Sequence, residues 1–353
     1  MSRIDCDKEI ESYHATEVNL PKAGQDEMRA RRDNGRTRLQ GGLTKAGHPL
    51  PSDISSQGSY AMRTMVQDDQ CDYDIDDGVY FEIDDLTDSD GSHLGASDAR
   101  TRIRKALKDD RLAFDAVVKT NCVRQKYPDG YHIDIPVYRV IRLTDIYRNE
   151  VVEYELASDE DWVESDARAV TKWYNDAIGE ELKSGGSDYS QTRRVTRLTK
   201  KMARSRIAWK KQTTSGICIS KLVVDNIVTV AGRDDDSLRG TWNAIKAMLD
   251  FTLQITHPVL DGKLLAEWDD EGVRFFRDCL TDVLKELEVL DEQGSTREKA
   301  LNAWDKVFNT SYFSDQLSVQ KTTANSLLQP AAVATGLTFP SKPVIPNKSS
   351  GFA

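Results

Sequence analysis

An α+β fold is predicted: a mixed sheet-and-helix front half, a helical back half and an irregular tail. Short segments rich in β-branched and aromatic residues cluster between positions 78 and 141, as strands do. Beyond about residue 188 the apolar residues recur at helical spacing. The final stretch, QPAAVATGLTFPSKPVIPNKSSGFA, mixes Pro, Gly, Ser and Ala without a period, which reads as a mobile tail. These shifts divide the chain into a core over residues 1–160, a helical domain over 161–320 and a tail over 321–353.

The elements follow in order. Residues 25–41 are expected to form a helix with a thin apolar stripe of Met28 and Leu39, interrupted by Arg32. Gly41, Gly42, Pro49 and Pro51 are expected to break it into a loop. GVYFEI (78–83), FDAVVKTNCV (114–123) and YHIDIPVYRVI (131–141) read as strands. Between the first two lies a helix, SDARTRIRKALKDD, with Ser97 as its expected N-cap and Ile103 and Leu107 one turn apart. EVVEYEL (150–156) is a further strand, and Ser165 is expected to cap the helix DARAVTKWYNDAI. In the back half, Leu238, Trp242, Ile245 and Leu249 form one stripe. Val273, Phe276, Leu280, Val283, Leu284 and Leu287 form another. Two such stripes bury each other in a bundle.

Composition excludes several function classes. Of 353 residues, 39% are hydrophobic and 30% charged, with a mean hydropathy of −0.56. No apolar run approaches the roughly 18 residues of a membrane span. The N-terminal MSRIDCDKEIESYH places charges where a signal peptide needs an apolar stretch, so a cytoplasmic location is expected. The five cysteines (Cys6, Cys71, Cys122, Cys218 and Cys279) are odd in number and never fall as C-x-x-C. A zinc site or disulfide framework is therefore not expected. A net charge of −10 disfavours generic binding to nucleic-acid backbones.

The chemistry concentrates between residues 57 and 134. Gly58-Ser59 sits where a loop meets a short helical stretch, and Asp72, Asp74, Asp76 and Asp77 follow, running into the strand GVYFEI. Residues two apart on a strand share a face, so Asp74 and Asp76 point one way while Ile75 points to the core. Paired carboxylates repel unless a cation lies between them, and hard oxygen ligands suit Mg²⁺ shared with phosphates. An EF-hand loop from Asp72 fails, because its glycine position is Asp77 and its closing glutamate position is Ile83. Asp134, flanked by Ile133 and Ile135, is a carboxylate in an apolar strand that must find a partner or line a cleft.

Gln57-Gly58-Ser59, D-I-D-D-G-V-Y (74–80) and H-I-D-I-P-V-Y (132–138) together resemble the polymerase-β-type nucleotidyltransferase superfamily. Within it the chain is most similar to the bacterial cGAS/DncV-like nucleotidyltransferases (CD-NTases), in their DncV-like branch. The resemblance extends in outline from residue 25 to about 315. It implies a polymerase-β-like core followed by a helical domain, with the active site in the cleft between them. It further implies that Asp74, Asp76 and Asp134 hold two Mg²⁺ ions, Mn²⁺ being the other candidate, with Asp72 and Asp74 the alternative pair. Gln57, Gly58 and Ser59 would hold the triphosphate. So would Lys200, in RRVTRLTKKMARS, and a serine from SGICISKLVVD, either Ser220 or Ser215. The animal DNA-sensing relative's zinc-binding insertion has no counterpart here.

The implied activity joins ribonucleoside triphosphates, ATP or GTP or both, into a cyclic di- or trinucleotide with release of pyrophosphate. The implied setting is cyclic-oligonucleotide-based anti-phage signalling (CBASS), in which the product activates a separate effector. An E1/E2-like ligase would conjugate the C-terminus at Ala353. No membrane partner is expected. Two other readings remain. One is a related transferase making linear oligonucleotides or acting on RNA, an antibiotic or a protein; the other is a non-catalytic nucleotide-binding module.

Overall fold

The computed structural model describes residues 4–68, 73–159, 161–179 and 190–317. The chain enters with α1 (Asp7–Tyr13), one π-helical turn (His14–Val18) and α2 (Lys22–Lys45). Then come β1 (Asp53–Gln57), α3 (Gly58–Ala61), β2 (Asp74–Glu82) and α4 (Ala96–Ala106). Six strands follow: β3 (Val117–Val118), β4 (Val123–Lys126), β5 (His132–Ile135), β6 (Val137–Thr144), β7 (Glu150–Ser158) and β8 (Asp161–Glu164). The helices α5 (Ala167–Ala177), α6 (Gln191–Ala203), α7 (Ile207–Gln212), α8 (Gly216–Asn226) and α9 (Asp234–Phe251) come next. A small hairpin of β9 (Ile255–Thr256) and β10 (Leu264–Ala266) precedes α10 (Glu271–Glu286) and α11 (Arg297–Phe308). The α+β class expected from the sequence is the class found.

Strand β2 organises the front lobe. It pairs antiparallel with β1 and parallel with both β5 and β6. Pro136 lacks the N–H that would continue one ladder, so the segment expected as one strand divides into β5 and β6. The Pro136 carbonyl still accepts from the Val79 amide at 2.9 Å. The β2/β5 register sets Asp74 beside His132, Ile75 beside Ile133 and Asp76 beside Asp134. Ile75, Val79, Ile133 and Ile135 then join Met28, Leu39 and Leu43 of α2 and Ile103 of α4 in one core.

The second core is built by the helical lobe. Leu238, Trp242, Ile245, Val273, Phe276 and Leu280 are buried there as their spacing implied. Ile10, Tyr13 and Val18, at the start of the chain, join them. The lobes meet where α6 docks on the segment 62–68. Arg193 Nε donates to the Met62 carbonyl at 3.2 Å and Arg197 Nε to the Arg63 carbonyl at 2.8 Å. Lys201 reaches the Gln67 carbonyl at 3.2 Å.

Several local expectations are corrected. Helix α2 runs through Gly41 and Gly42 to Lys45. At Gly42 a Cβ would lie 1.9 Å from the Ala106 carbonyl oxygen, so this glycine allows α2 and α4 to touch and does not end the helix. Strand β2 begins at Asp74, four residues before the expected start. The segment 114–123 holds only Val117–Val118 and the first residue of β4 as strand. Ser97 lies within α4, whose N-cap is Gly95. Asp166, in place of Ser165, caps α5 by accepting from the Ala169 amide. The back half also carries strands, β9 and β10. The expected tail and Cys71 lie outside the described residues, while Cys6, Cys122, Cys218 and Cys279 are free and buried. Among the described residues, no helix is long and apolar enough to cross a membrane.

Candidate active site

Alternation along β2 and β5 builds the acidic wall. Asp74, His132 and Asp134 share a face, and each offers a ligand atom within 4.8 Å of the others'. Asp76 stands on the same face, next to Asp134 in the ladder. Burial pushes the Asp76 carboxyl up to about 8, and the charges of Asp74 and Asp134 push it the same way, with Arg124 opposing them. A cation set among these groups would reverse that balance, so the donor set fits a divalent ion bound through oxygens. Asp77 faces the other way. It accepts from Arg36 Nε at 2.7 Å and from the Ser56 hydroxyl at 2.8 Å, so it belongs to the packing of α2 on the sheet. Asp72 lies outside the described residues.

Gly58 opens the floor of the site. Its φ of +62° is in the left-handed region, and a Cβ there would lie 2.2 Å from Asp76 Oδ2. Glycine meets both demands at once. Gln57 is anchored from behind. Its Nε2 donates to the Tyr138 hydroxyl at 3.0 Å, and the Tyr80 hydroxyl donates to its Oε1 at 3.1 Å. The two tyrosine rings stack at 4.6 Å. Gln57 thus holds the turn that presents Gly58 and Ser59.

Across the cleft stands a cationic wall. Lys200 is buried on α6, and its Nζ donates to Thr64 Oγ1 at 2.9 Å. Burial lowers its pKa to about 7, the Arg204 charge adds to the shift, and Asp74 works against it. A Cβ on Gly216 would lie 3.7 Å from Lys200 Nζ and 3.6 Å from an Arg204 guanidinium nitrogen. The first turn of α8 therefore lies against both cations.

Both walls open on one cavity of about 420 Å³, which Gln57, Gly58, Ser59, Asp74, Asp76 and Lys200 all line. Of the two candidate serines, Ser215 lines it and caps α8 by accepting from the Cys218 amide. Ser220 does not reach it. Its side chain is fully buried and its hydroxyl donates to the Gly216 carbonyl at 2.8 Å. Helical geometry explains the difference, because five residues on from the cap the chain has turned to the core side. Asp134 is held next to the acidic wall by Arg124, whose Nε and Nη2 donate to its two oxygens at 2.7 and 2.6 Å.

Sequence reasoning did not single out Arg124, Thr64, Arg204, His132 or His257. Arg124 and Asp134 face each other across the β4/β5 hairpin, a pairing readable in principle from the turn KYPDG. The others come together only through tertiary contact.

An arrangement of carboxylates facing the buried Lys200 and the exposed Arg204 across one cavity is built to take a polyanion together with metal ions. Residues 52–138 match the family model described as "Cyclic GMP-AMP synthase DncV-like, nucleotidyltransferase domain". The chain is 24% identical over 223 residues to a cyclic GMP-AMP synthase of Escherichia albertii. That alignment covers 60% of this chain and 45% of the relative, so the chain spans under half of that protein's length in the match. Among solved structures, it resembles the Vibrio cholerae dinucleotide cyclase DncV in complex with GTP and 5MTHFGLU2, with a TM-score of 0.67 and 16% identity. That match covers 90% of this chain and 99% of the other. It also resembles the CD-NTase CdnG of Bradyrhizobium diazoefficiens in complex with GTP, with a TM-score of 0.64 and 17% identity over 91% of this chain and 99% of that one. At these identities the likeness to solved structures establishes the fold.

Proposed function

We propose, from the match of residues 52–138 to the DncV-like nucleotidyltransferase domain, that the protein joins ribonucleoside triphosphates into a cyclic di- or trinucleotide, releasing pyrophosphate at each transfer. The observation that carries this reading is the register of β2 on β5, which sets Asp74, Asp76 and Asp134 on one face, with Lys200 lining the same cavity as Asp74 and Asp76.

In each transfer a ribose hydroxyl of the acceptor attacks the α-phosphorus of the donor, and the bond to pyrophosphate breaks. Asp74, Asp76 and Asp134, with His132 beside them, are the residues that would hold the metal, Mg²⁺ in the first instance and Mn²⁺ as the alternative. Bound metal would lower the pKa of the attacking hydroxyl and offset phosphate charge. Lys200 and Arg204 place positive charge where a triphosphate needs it, and Lys200 gains most, since an anion restores the charge that burial disfavours. Gly58 leaves room for phosphate to approach the backbone beside Asp76. The Ser59 and Ser215 hydroxyls add donors on either side of the cleft.

ATP and GTP are the proposed substrates, and nucleotides of this kind are bound in the related CdnG and DncV structures. A CBASS role belongs to the same proposal, with a separate effector answering the product and an E1/E2-like ligase acting on Ala353. The test incubates the purified chain with the four labelled nucleotides and Mg²⁺, then with phosphatase. A phosphatase-resistant product that Asp74→Asn/Asp76→Asn fails to make is the expected result. A product from which phosphatase strips terminal phosphates, leaving a linear core, would point to the linear synthase, and none with either Mg²⁺ or Mn²⁺ would overturn the reading.

A further inference from the structure

The β9–β10 hairpin of the helical lobe carries an imidazole whose protonation is set by the backbone around it. His257 immediately follows β9, and its amide donates to the Lys263 carbonyl at 2.9 Å. Its Nδ1 accepts from two backbone amides, Val259 at 3.3 Å and Leu260 at 3.0 Å. A ring nitrogen that accepts carries a lone pair, so the neutral ring keeps its one proton on Nε2. Protonating Nδ1 would set an N–H against two others and lose both bonds. Burial also favours the neutral ring, with the Glu164 charge opposing. His257 is thus a fixed, uncharged donor, and among the described residues no hydrogen bond uses its Nε2.

That ring lines the same cavity as the acidic and cationic walls, and Leu265 of β10 lines it as well. Met62, Val170 and Ile217 contribute further apolar surface to the cavity, the kind of lining that takes a flat ring. Phosphate recognition draws on charge, which Lys200 and Arg204 already supply and which His257 cannot carry without giving up its turn. A single neutral N–H suits a neutral acceptor, a ring nitrogen or a carbonyl oxygen.

We propose that His257 reads the base of the bound nucleotide, donating from Nε2–H to an acceptor on the base edge and disfavouring any base that brings an amino group to that point. The proposal rests on the nucleotide-binding reading above and names the residue that selects among nucleotides. Donor meeting donor leaves two polar groups unpaired, which is how such sites discriminate.

The two nitrogens of histidine can be tested separately. In His257→Asn the amide oxygen falls where Nδ1 was and keeps the turn, but nothing reaches as far as Nε2. In His257→Gln the reach is kept and the turn acceptor is lost. Binding of the α,β-methylene analogues of ATP, GTP, CTP and UTP, and of base-free ribose 5′-triphosphate, is measured with the full chain, alongside thermal melts. For the nucleotide the wild type prefers, His257→Asn is expected to lose roughly three- to tenfold in affinity. Its melt and its affinity for ribose triphosphate should stay as in the wild type, and His257→Gln should keep the preference. Unchanged discrimination in His257→Asn, or an equal loss on ribose triphosphate, overturns the proposal. A wild-type chain that binds none of the analogues removes the nucleotide reading itself.

Discussion

Gly58 and Asp76 approach so closely that a Cβ on the glycine would lie 2.2 Å from the carboxylate Oδ2. Gly47 supplies the comparison, because its φ of +72° is also left-handed but a Cβ there would meet nothing within 4 Å. Alanine at either position carries a backbone cost of about 1–2 kcal/mol, and only at Gly58 does it displace an acidic side chain. We expect Gly58→Ala to lower the melting temperature at least as far as Gly47→Ala, any excess reporting the displaced carboxylate. Nucleotidyl transfer should fall by about 100-fold or more in Gly58→Ala, the scale of a misplaced reacting group, and stay near wild type in Gly47→Ala. Equal activities in the two would show that the close contact has no functional weight.

Arg124 is the counter-charge of a site that must exist without its metal. Its two bonds to Asp134 compensate one of three neighbouring carboxylates, and its charge also opposes the upward shift at Asp76. Arg124→Met should therefore destabilise the metal-free protein by about 1–3 kcal/mol, below the full cost of a deeply buried pair because the arginine is partly exposed. Metal restores positive charge among the acids, so the melting-temperature gain on adding Mn²⁺ or Mg²⁺ should be larger in Arg124→Met than in wild type. Melts with and without each ion check this, and equal gains in both proteins would refute it.

The parts of the site that lie within one strand or one turn were open to sequence reasoning. Asp74 and Asp76 share a face because strands alternate, and Asp134 stood out as a carboxylate between two isoleucines. What sequence hid depended on neighbours distant along the chain. Gly42 reads as a break until Ala106 is seen pressed against it. Ile10 and Tyr13 sit in a charged N-terminal segment whose apolar face is covered by residues more than 200 positions later. Ser215 and Ser220 were not separable by motif, since the choice depends on where α8 begins. His257 left no trace in spacing, because its partners are backbone amides.

Lys200 ties nucleotide binding to pH. Its pKa falls from 10.5 to about 7 in the ligand-free chain, chiefly through burial. Above pH 7 the lysine is increasingly neutral, and a bound triphosphate favours the ammonium, so binding takes up a proton. Affinity for a nucleoside triphosphate analogue should therefore fall as pH rises from 7.5 to 9, approaching tenfold per unit at the limit. Lys200→Arg stays charged throughout, and with Mg²⁺ saturating, so that Asp76 stays ionised over this range, its affinity should be nearly flat. Isothermal titration at three pH values decides the matter, and a flat wild-type profile would exclude Lys200 as the titrating group.

His14 makes the joint between α1 and α2 sensitive to acid. It lies in the π-helical turn, 5% exposed, and its buried Nε2 has no hydrogen-bond partner among the described residues. Burial lowers its pKa from 6.5 to about 3, Arg197 and Arg194 push the same way, and Asp234 opposes them. The folded pKa is depressed, so the unfolded chain binds the proton first. Stability is complete above about 6.5 and is lost as pH falls toward 3. The slope is at most about 1.4 kcal/mol per pH unit, or ~2 kcal/mol between pH 6.5 and 5. His14→Leu removes this group while keeping an apolar side chain in the same core. Urea denaturation at pH 7, 6 and 5 should show the gap between variant and wild type shifting in the variant's favour on acidification. Parallel curves would mean that His14 is not the group that titrates.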